Sequence, residues 1–157
     1  MTVPTGFVVT AGDGEALPGV EVRNTIKVPH DSTDGAFAAF EETTEPGVGP
    51  PVHIHANQWE YFRVLDGEFE FLIGDRRYRA WPGAVAVVPP NTRPGFRNIS
   101  ATDSTLEFIV TPAGRIDEYF RRLTTLLADG ETDPEVLNAL GEEYDSINVA
   151  PPLSDAD

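Results

Sequence analysis

Three side chains near the middle of the sequence could bind a metal ion or move a proton. His53 and His55 are separated by one residue, and Glu60 follows five residues after the second histidine. In a β-strand, side chains at positions i and i+2 point to the same face, so both imidazoles can reach one ion. Imidazole nitrogen suits Fe, Ni, Mn, Cu or Zn, and a carboxylate from a neighbouring strand adds a hard oxygen ligand. The triplet alone is equally compatible with ordinary strand residues and a simple His–Glu hydrogen bond.

Glu60 begins a run in which apolar side chains alternate. Alternation places Glu60 on the same face as Phe62 and Val64, whereas Trp59 and Tyr61 face the opposite way. A carboxylate among inward apolar residues needs a partner, because an unpaired buried charge costs folding free energy. A metal ion held by the two histidines would be such a partner.

The elements that position these residues are predicted to be short β-strands. Runs rich in β-branched and aromatic residues recur up to about residue 112, each closed by Gly, Pro, Asn or Asp. A spacing of about 8 to 12 residues between such runs predicts an antiparallel sandwich or barrel. Alternation predicts inward-facing apolar residues at Phe37, Phe62, Phe69, Phe71, Phe96, Leu106 and Phe108.

After the strands, the hydrophobic period changes to that of a helix. Apolar residues with helical spacing predict one buried face, formed by Ile116, Tyr119, Phe120, Leu123, Leu126 and Leu127. A second helix is predicted with Asp133 as its N-cap and Pro134 at its first position.

The length of 157 residues indicates a single domain. We expect this domain to span residues 1–157, with a barrel over about residues 20–112 and helices over about 114–146. Residues 147–157 are predicted to form a tail.

Composition excludes several classes of function. The net charge of −15 opposes binding to nucleic acid or to an anionic membrane surface, because both require clustered Lys and Arg. The sequence has no cysteine, which excludes disulfides, thiolate metal sites and Cys nucleophiles. It also has neither a basic N-terminal leader nor an apolar run long enough to span a bilayer. We therefore expect a soluble cytoplasmic protein.

The histidine region resembles the first conserved motif of the cupin superfamily. Gly47, His53, His55, Glu60 and Gly67 match that motif at every fixed position. Over about residues 20–153 the sequence resembles small single-domain bacterial cupins described as quercetin dioxygenase-like. The resemblance implies an all-β, jelly-roll-like double-stranded β-helix barrel with two C-terminal α-helices.

The second cupin motif is incomplete. Gly83, Pro89 and Asn98 occupy their expected positions, but Pro94 stands where the motif has a histidine, and no histidine follows His55. Three hypotheses remain open. The first three ligands could hold a divalent ion alone, another group could replace the lost ligand, or the metal could be lost. The candidates for a replacement ligand are His30, Glu41 and Glu42.

The leading functional hypothesis is a small-molecule enzyme of secondary metabolism with a degenerate metal site. The resemblance implies dioxygenase-type oxidation of an aromatic or polyketide-like substrate, with Glu60 also able to act as a base. The predicted pocket is formed by Phe62, Phe71, Phe96, Phe108 and Arg97. Arg97 would pair with a substrate carboxylate or, as the acidic composition favours, form a surface ion pair. The alternatives are a metal-free binding protein, and an isomerase or cyclase that uses a His–Glu proton relay.

Exposed aromatic residues are expected at a contact between subunits. Trp59, Tyr61 and Trp81 lie on the outer face or at a strand end in the predicted arrangement. Since exposed aromatics commonly mark interfaces and cupins are commonly dimeric, we expect a homodimer.

Overall fold

A computed structural model describes residues 5–155 of the chain. Within these residues, β-strands dominate and two α-helices follow near the C-terminal end. In chain order the elements are β1 Glu15–Ala16, β2 Val22–Val28, a 3-10 helix His30–Thr33, β3 Ala38–Thr44, β4 Pro51–Ile54, β5 Trp59–Asp66, β6 Phe69–Ile73, β7 Arg76–Ala80, β8 Val85–Val88, β9 Pro94–Asn98, β10 Ser104–Thr111, α1 Ile116–Ala128, α2 Pro134–Glu143 and β11 Ile147–Pro152.

The strands form three antiparallel sheets. One sheet has the order β1-β2-β3-β10-β5-β8, a second has the order β7-β6-β9, and the third pairs β11 with β4. Hydrogen bonds do not join the sheets into a closed barrel. The arrangement is the predicted all-β, jelly-roll-type sandwich with two C-terminal helices.

Alternating hydrophobicity explains how the long strands bury one face. Along β5, Glu60, Phe62 and Val64 are buried, whereas Trp59 and Arg63 are exposed, as the alternation predicts. The interior is rich in phenylalanine because the inner faces of several strands contribute rings. Phe62, for example, lies 5.9 Å from Phe108, measured between ring centroids.

Two residues of the recognised motifs have structural roles at turns. Gly67 has a φ of 77°, and a Cβ there would lie 1.8 Å from the Ser104 hydroxyl oxygen, so only glycine fits. Asn98 is fully buried and donates hydrogen bonds to the carbonyls of Thr44 and Thr102. Its own side-chain oxygen accepts a hydrogen bond from the Ser104 hydroxyl. Asn98 therefore holds this turn whether or not a metal binds.

The two helices form where the sequence predicts them. Ile116 and Tyr119 bury the apolar face of α1. Asp133 caps α2, because its side chain accepts a hydrogen bond of 2.9 Å from the backbone N–H of Glu135. Neither helix combines the length and apolar character that crossing a bilayer would require.

Two expectations differ from the structure. The segment from residue 147, predicted to be a tail, forms β11 and pairs with β4, so it extends the sandwich. Phe37, predicted to face inward, is 38% exposed. Phe37 lies just before β3, whose buried residues are Ala38, Phe40 and every second residue after them. The alternation therefore places Phe37 on the outer face, one residue away from the predicted register.

Candidate functional site

His53, His55 and Glu60 converge where β4 and β5 face the interior. His53 lies in β4, His55 follows directly after it, and Glu60 is the second residue of β5. Their ligand-capable atoms all lie within 4.8 Å of one another. His55 Nε2 is 3.1 Å from Glu60 Oε1, and His53 Nε2 is 3.7 Å from the same oxygen. The fold thus brings together the three residues that the sequence spacing singles out.

Backbone carbonyls orient both imidazole rings. His53 Nδ1 is 3.0 Å from the carbonyl oxygen of Pro51, and His55 Nδ1 is 2.7 Å from that of Asp145. A carbonyl only accepts hydrogen bonds, so Nδ1 carries the proton in each ring. The Nε2 atom of each ring therefore faces Glu60.

Asp145 is a positioning residue that the sequence reasoning missed. It has a φ of 61° and follows α2, and its carboxylate accepts hydrogen bonds from the backbone N–H groups of Ala56 and Asn57. These bonds fix the turn after β4 and hold the Asp145 carbonyl against His55. No periodic pattern marks Asp145, because its partners lie almost 90 residues away in the sequence.

The buried Glu60 carboxylate is stabilised in its ionised form by the two histidines. Burial raises the pKa of Glu60, but the contacts from His53 and His55 outweigh burial and hold that pKa at about 2. Burial lowers the pKa of His55, whereas the Glu60 carboxylate beside it produces a net rise. The contact between His55 Nε2 and Glu60 is close without being an aligned hydrogen bond, which leaves Nε2 and Glu60 Oε2 without hydrogen-bond partners.

Glu42 brings a second carboxylate into the same cavity. It lies in β3, is 4% exposed, and has Oε1 without a hydrogen-bond partner. Burial raises its pKa to about 7, although a hydrogen bond from Asn24 acts in the opposite direction. Asn24 is its cross-strand neighbour on β2 and was not singled out from the sequence. Glu42 does not belong to the group formed by His53, His55 and Glu60. Its raised pKa suits it to hold a proton beside that group.

The other two replacement candidates lie elsewhere. Glu41 alternates with Glu42 along β3 and is only partly buried. It pairs across the sheet with Thr25 and Glu107 and does not line the site. His30 Nδ1 lies 2.8 Å from Asp117 Oδ1, at the start of α1. The structure therefore brings only Glu42, of the three candidates, to the cavity.

The site lies at one end of a cavity of about 300 Å³. Helix α1 covers this cavity with Ile116, Tyr119, Phe120, Leu123 and Leu127. Its lining includes carboxylates and imidazoles but neither Lys nor Arg. Most of the remaining wall is apolar, which is typical of a small-molecule site with a few converging polar groups.

Three of the predicted pocket residues line this cavity, and two do not. Phe62, Phe96 and Phe108 form part of its wall. Phe71 lies in the core behind them, with its ring centroid 5.6 Å from that of Phe62. Arg97 points away from the cavity and pairs with Glu70 and Asp155 at 3.1 Å and 2.6 Å. It is therefore occupied in an ion-pair network and does not reach a ligand in this cavity.

Pro94 offers no replacement ligand. It is buried at the start of β9 and pairs with Ile73 of β6. Its side chain has no nitrogen or oxygen atom, and it does not contribute to the cavity lining. The metal-binding potential of the site therefore rests on His53, His55 and Glu60.

These three residues fit a divalent transition-metal ion. The Nδ1–carbonyl contacts are the outer contacts that orient metal-bound histidines. The partnerless His55 Nε2 and Glu60 Oε2 atoms lie where ligand atoms are needed. Two imidazoles and one carboxylate suit Fe, Ni, Mn, Cu or Zn, and this set is found in non-haem Fe(II) oxygenases.

The fold is similar to that of cupins. The family model described as "Cupin domain" matches residues 40–112. Together with the solved structures described next, this match supports a place for the chain in the cupin superfamily. No curated protein matches the chain.

Three solved structures illustrate the shared fold. KdgF from Halomonas sp. is 18% identical, with a TM-score of 0.60 over 69% of this chain and 94% of KdgF. The polyketide cyclase RemF from Streptomyces resistomycificus is 19% identical, with a TM-score of 0.58 over 69% of this chain and 80% of RemF. The nucleoside dehydratase Pac13 is 15% identical, with a TM-score of 0.61 over 95% of each chain. The similarity to Pac13 therefore includes the C-terminal helices, and at these identities it concerns the fold alone.

Proposed function

We propose that this protein is a small-molecule enzyme that acts at a divalent metal ion held by His53, His55 and Glu60. The observation that carries this proposal is the orientation of the two imidazoles. Both Nδ1 atoms are bonded to backbone carbonyls, so both Nε2 atoms converge on a buried carboxylate. No Lys or Arg among the residues lining the cavity supplies a cation to this group.

The reaction class that the donor set favours is oxidation by dioxygen. A redox-active ion supplies Lewis-acid and electron-transfer chemistry at such a site. The chain itself binds the substrate between Phe62, Phe96 and Phe108, and α1 excludes water from the cavity. Glu60 is ionised and can accept a proton from a substrate hydroxyl, whereas Glu42 can hold or return one.

The proposed substrate is aromatic and compact at its reacting end. Phenylalanine rings line the wall, and a cavity of about 300 Å³ is at the lower limit of ordinary ligand sites.

A second candidate is a metal-free isomerase, cyclase or lyase. The observation that favours it is the separation of the two carboxylates, since Glu42 has a pKa of about 7 and Glu60 a pKa of about 2. A neutral acid beside an ionised base is the arrangement required for proton transfer across a bound substrate. RemF is a cyclase and Pac13 a dehydratase on the same fold, and Pro94 removes a metal ligand. A metal-free binding protein is the third alternative.

Elemental analysis of protein purified without a metal-affinity tag distinguishes these candidates. We expect close to one equivalent of Fe, Ni, Mn, Cu or Zn in the wild type and none in the His53→Ala, His55→Ala double variant. His30→Ala is the matched control, because it removes the remaining histidine outside the cavity. An absence of metal after anaerobic reconstitution with Fe(II) would reject the metal proposal and favour the proton-transfer enzyme. If metal is present, dependence of substrate turnover on dioxygen would distinguish oxidation from other metal-assisted reactions.

We also propose that the chain forms a homodimer through the outer face at the β5–β8 edge. Trp59 is 48% exposed, and Val85 and Val87 are 50% and 51% exposed. Tyr61 pairs with Val87 across the two strands, which joins these side chains into one apolar patch. Sedimentation equilibrium of the wild type and of Val87→Glu tests this proposal, which a monomeric wild type would overturn.

A further inference from the structure

A second cavity adjoins the candidate active site. It has a volume of about 460 Å³ and lies between α1 and the segment that leads into β2. Pro18, Val20 and Val22 form one wall, and Thr124 and Ala128 of α1 form another. We call the cavity that contains the histidines the inner chamber and this second cavity the outer chamber. None of the proposed metal ligands lines the outer chamber.

The two chambers share a wall. The residues that line both are Glu42, Pro50, Pro51, Phe120, Leu123 and Leu127. Because Glu42 belongs to both linings, its carboxyl lies at the junction between them. The two cavities are therefore adjacent, and a molecule bound at the histidines would reach the outer chamber by passing between α1 and Glu42.

The outer chamber has the chemistry of an apolar subsite. Its lining includes neither Lys nor Arg, and its ionisable groups are the carboxyls of Glu21 and Glu42. An anionic group would therefore lose its hydration there without gaining a cationic partner. Two apolar side chains at its edge remain open to solvent, with Val20 76% and Leu127 50% exposed. A bound apolar group would remove both from water, which favours binding in proportion to the area covered.

We infer that the outer chamber is a substrate subsite, and that the substrate is an elongated, uncharged molecule with a polar end at His53, His55 and Glu60 and an apolar extension along α1. This inference rests on the proposed function in one respect, namely the position of the substrate's polar end. It extends that function because it gives the substrate a length and a charge. A ring that fills only the inner chamber would leave the outer apolar surface uncovered.

A series of 4-alkylphenols tests this inference. The probes run from 4-methylphenol to 4-octylphenol, and the dissociation constants are measured by isothermal titration calorimetry. We expect affinity to rise roughly three- to fourfold per added methylene while the chain enters the outer chamber. The matching phenol with a carboxylate at the end of its alkyl chain should bind at least about tenfold more weakly than the neutral probe, because the outer chamber offers no Lys or Arg to pair with a buried carboxylate.

Variants of the outer wall locate the alkyl chain. Ala128→Trp fills the outer chamber from an exposed position, so the gain in affinity should stop at a shorter chain while the affinity for 4-methylphenol is unchanged. Val20→Trp, on the opposite wall, should shorten the gain in the same way if Ala128→Trp does not fold. Ala139→Trp, at an exposed position on α2 outside both linings, is the matched control and should bind like the wild type.

The result distinguishes this inference from the metal proposal. An affinity that does not rise with chain length, or a series with no binding at all, would overturn the subsite. A gain that Ala128→Trp and Val20→Trp leave unchanged would also overturn it. Metal content is measured on the same samples. Length-dependent binding without metal would retain the subsite and reject the metal centre, and metal binding without length dependence would do the reverse.

Discussion

Two histidine–carboxylate clusters in this protein use the same residue types and have opposite characters. In the first, fully buried Asp117 accepts hydrogen bonds from the backbone N–H of His30 at 3.2 Å and from its Nδ1 at 2.8 Å. Arg121 donates to the other oxygen of Asp117 at 2.8 Å and also pairs with Glu15. Each oxygen of the buried carboxylate has a partner within the chain.

Among the described residues, the second cluster has no arginine or lysine beside its carboxylate. Glu60 faces His53 and His55, one of its oxygens has no hydrogen-bond partner, and the cavity lining has no arginine. The difference teaches that histidine beside a carboxylate does not by itself mark a site. A buried carboxylate whose two oxygens are both bonded within the chain links the surrounding elements, and we call such a carboxylate a clamp. A buried carboxylate with an oxygen that has no partner can instead act on a ligand.

Metal binding gives the largest expected contrast. At a metal concentration 1,000 times its dissociation constant, we expect a divalent ion to stabilise the wild type by about 4 kcal/mol. Glu60→Gln should abolish that stabilisation, because the amide supplies no negative ligand. Urea unfolding with and without metal measures the effect. Asp117→Asn, the corresponding change in the other cluster, should keep the full metal effect, and its loss there would remove the distinction between the clusters.

In the absence of metal, the free energy of unfolding should depend on the Asp117 cluster. Asp117→Asn removes the charge that pairs with Arg121 and bonds His30, so we expect a loss of about 3 kcal/mol in the free energy of unfolding. Urea denaturation of the metal-free proteins measures this loss. Asp129→Asn, at the exposed end of α1, is the control and should change stability by no more than about 0.5 kcal/mol. An equally small change at Asp117 would contradict the proposed clamp.

The pH dependence of stability tests the buried acid between the two chambers. Burial raises the pKa of Glu42 to about 7 in the folded state, from 4.5. Between these values the folded protein retains a proton that the unfolded chain releases, so stability falls as pH rises. Glu42→Gln should remove roughly 2 to 3 kcal/mol of that fall between pH 5 and pH 8. Urea unfolding across this range, with chelator present, measures it, and parallel profiles for the two proteins would disprove the raised pKa.

The smallest expected effect concerns the orientation of one imidazole. Asp145→Ala removes the carboxylate that fixes the turn after β4, so the carbonyl beside His55 becomes less constrained. We expect metal affinity to fall by about tenfold, without loss of binding. Competition with a metal-sensitive dye measures the affinity. Asp133→Ala, which removes the cap of α2, should cost about 1 kcal/mol of stability and leave metal affinity unchanged.

Short-range patterns predicted much of the fold and the identity of the central triplet. The inward direction of Glu60 follows from alternation along β5, and the start of α2 follows from Asp133 and Pro134. Alternation in β9 would also have placed Arg97 opposite to Phe96, away from the cavity. The prediction that both residues line one pocket was inconsistent with that rule.

Long-range packing accounts for what the sequence did not predict. The helical period identified an apolar face on α1, but nothing in it indicated that this face would cover the histidines. Asp145 and Asn24 act through partners in distant or neighbouring strands, and no spacing rule connects them. Alternation with buried Phe40 could have separated Glu42 from Glu41, whereas only the tertiary structure shows that His30 lies away from the cavity, against Asp117.

The pairing of β11 with β4 determines when the site can form during synthesis. Asn148 lies opposite His53 in this pair, and the Asp145 carbonyl holds His55 from 90 residues further along the chain. A ribosome that has produced the histidines and Glu60 has already produced Pro51, which orients His53, but has not yet produced Asp145, which orients His55. The barrel strands can therefore pair before the site has its final geometry, and a ligand that requires oriented imidazoles binds only after the last strand is in place.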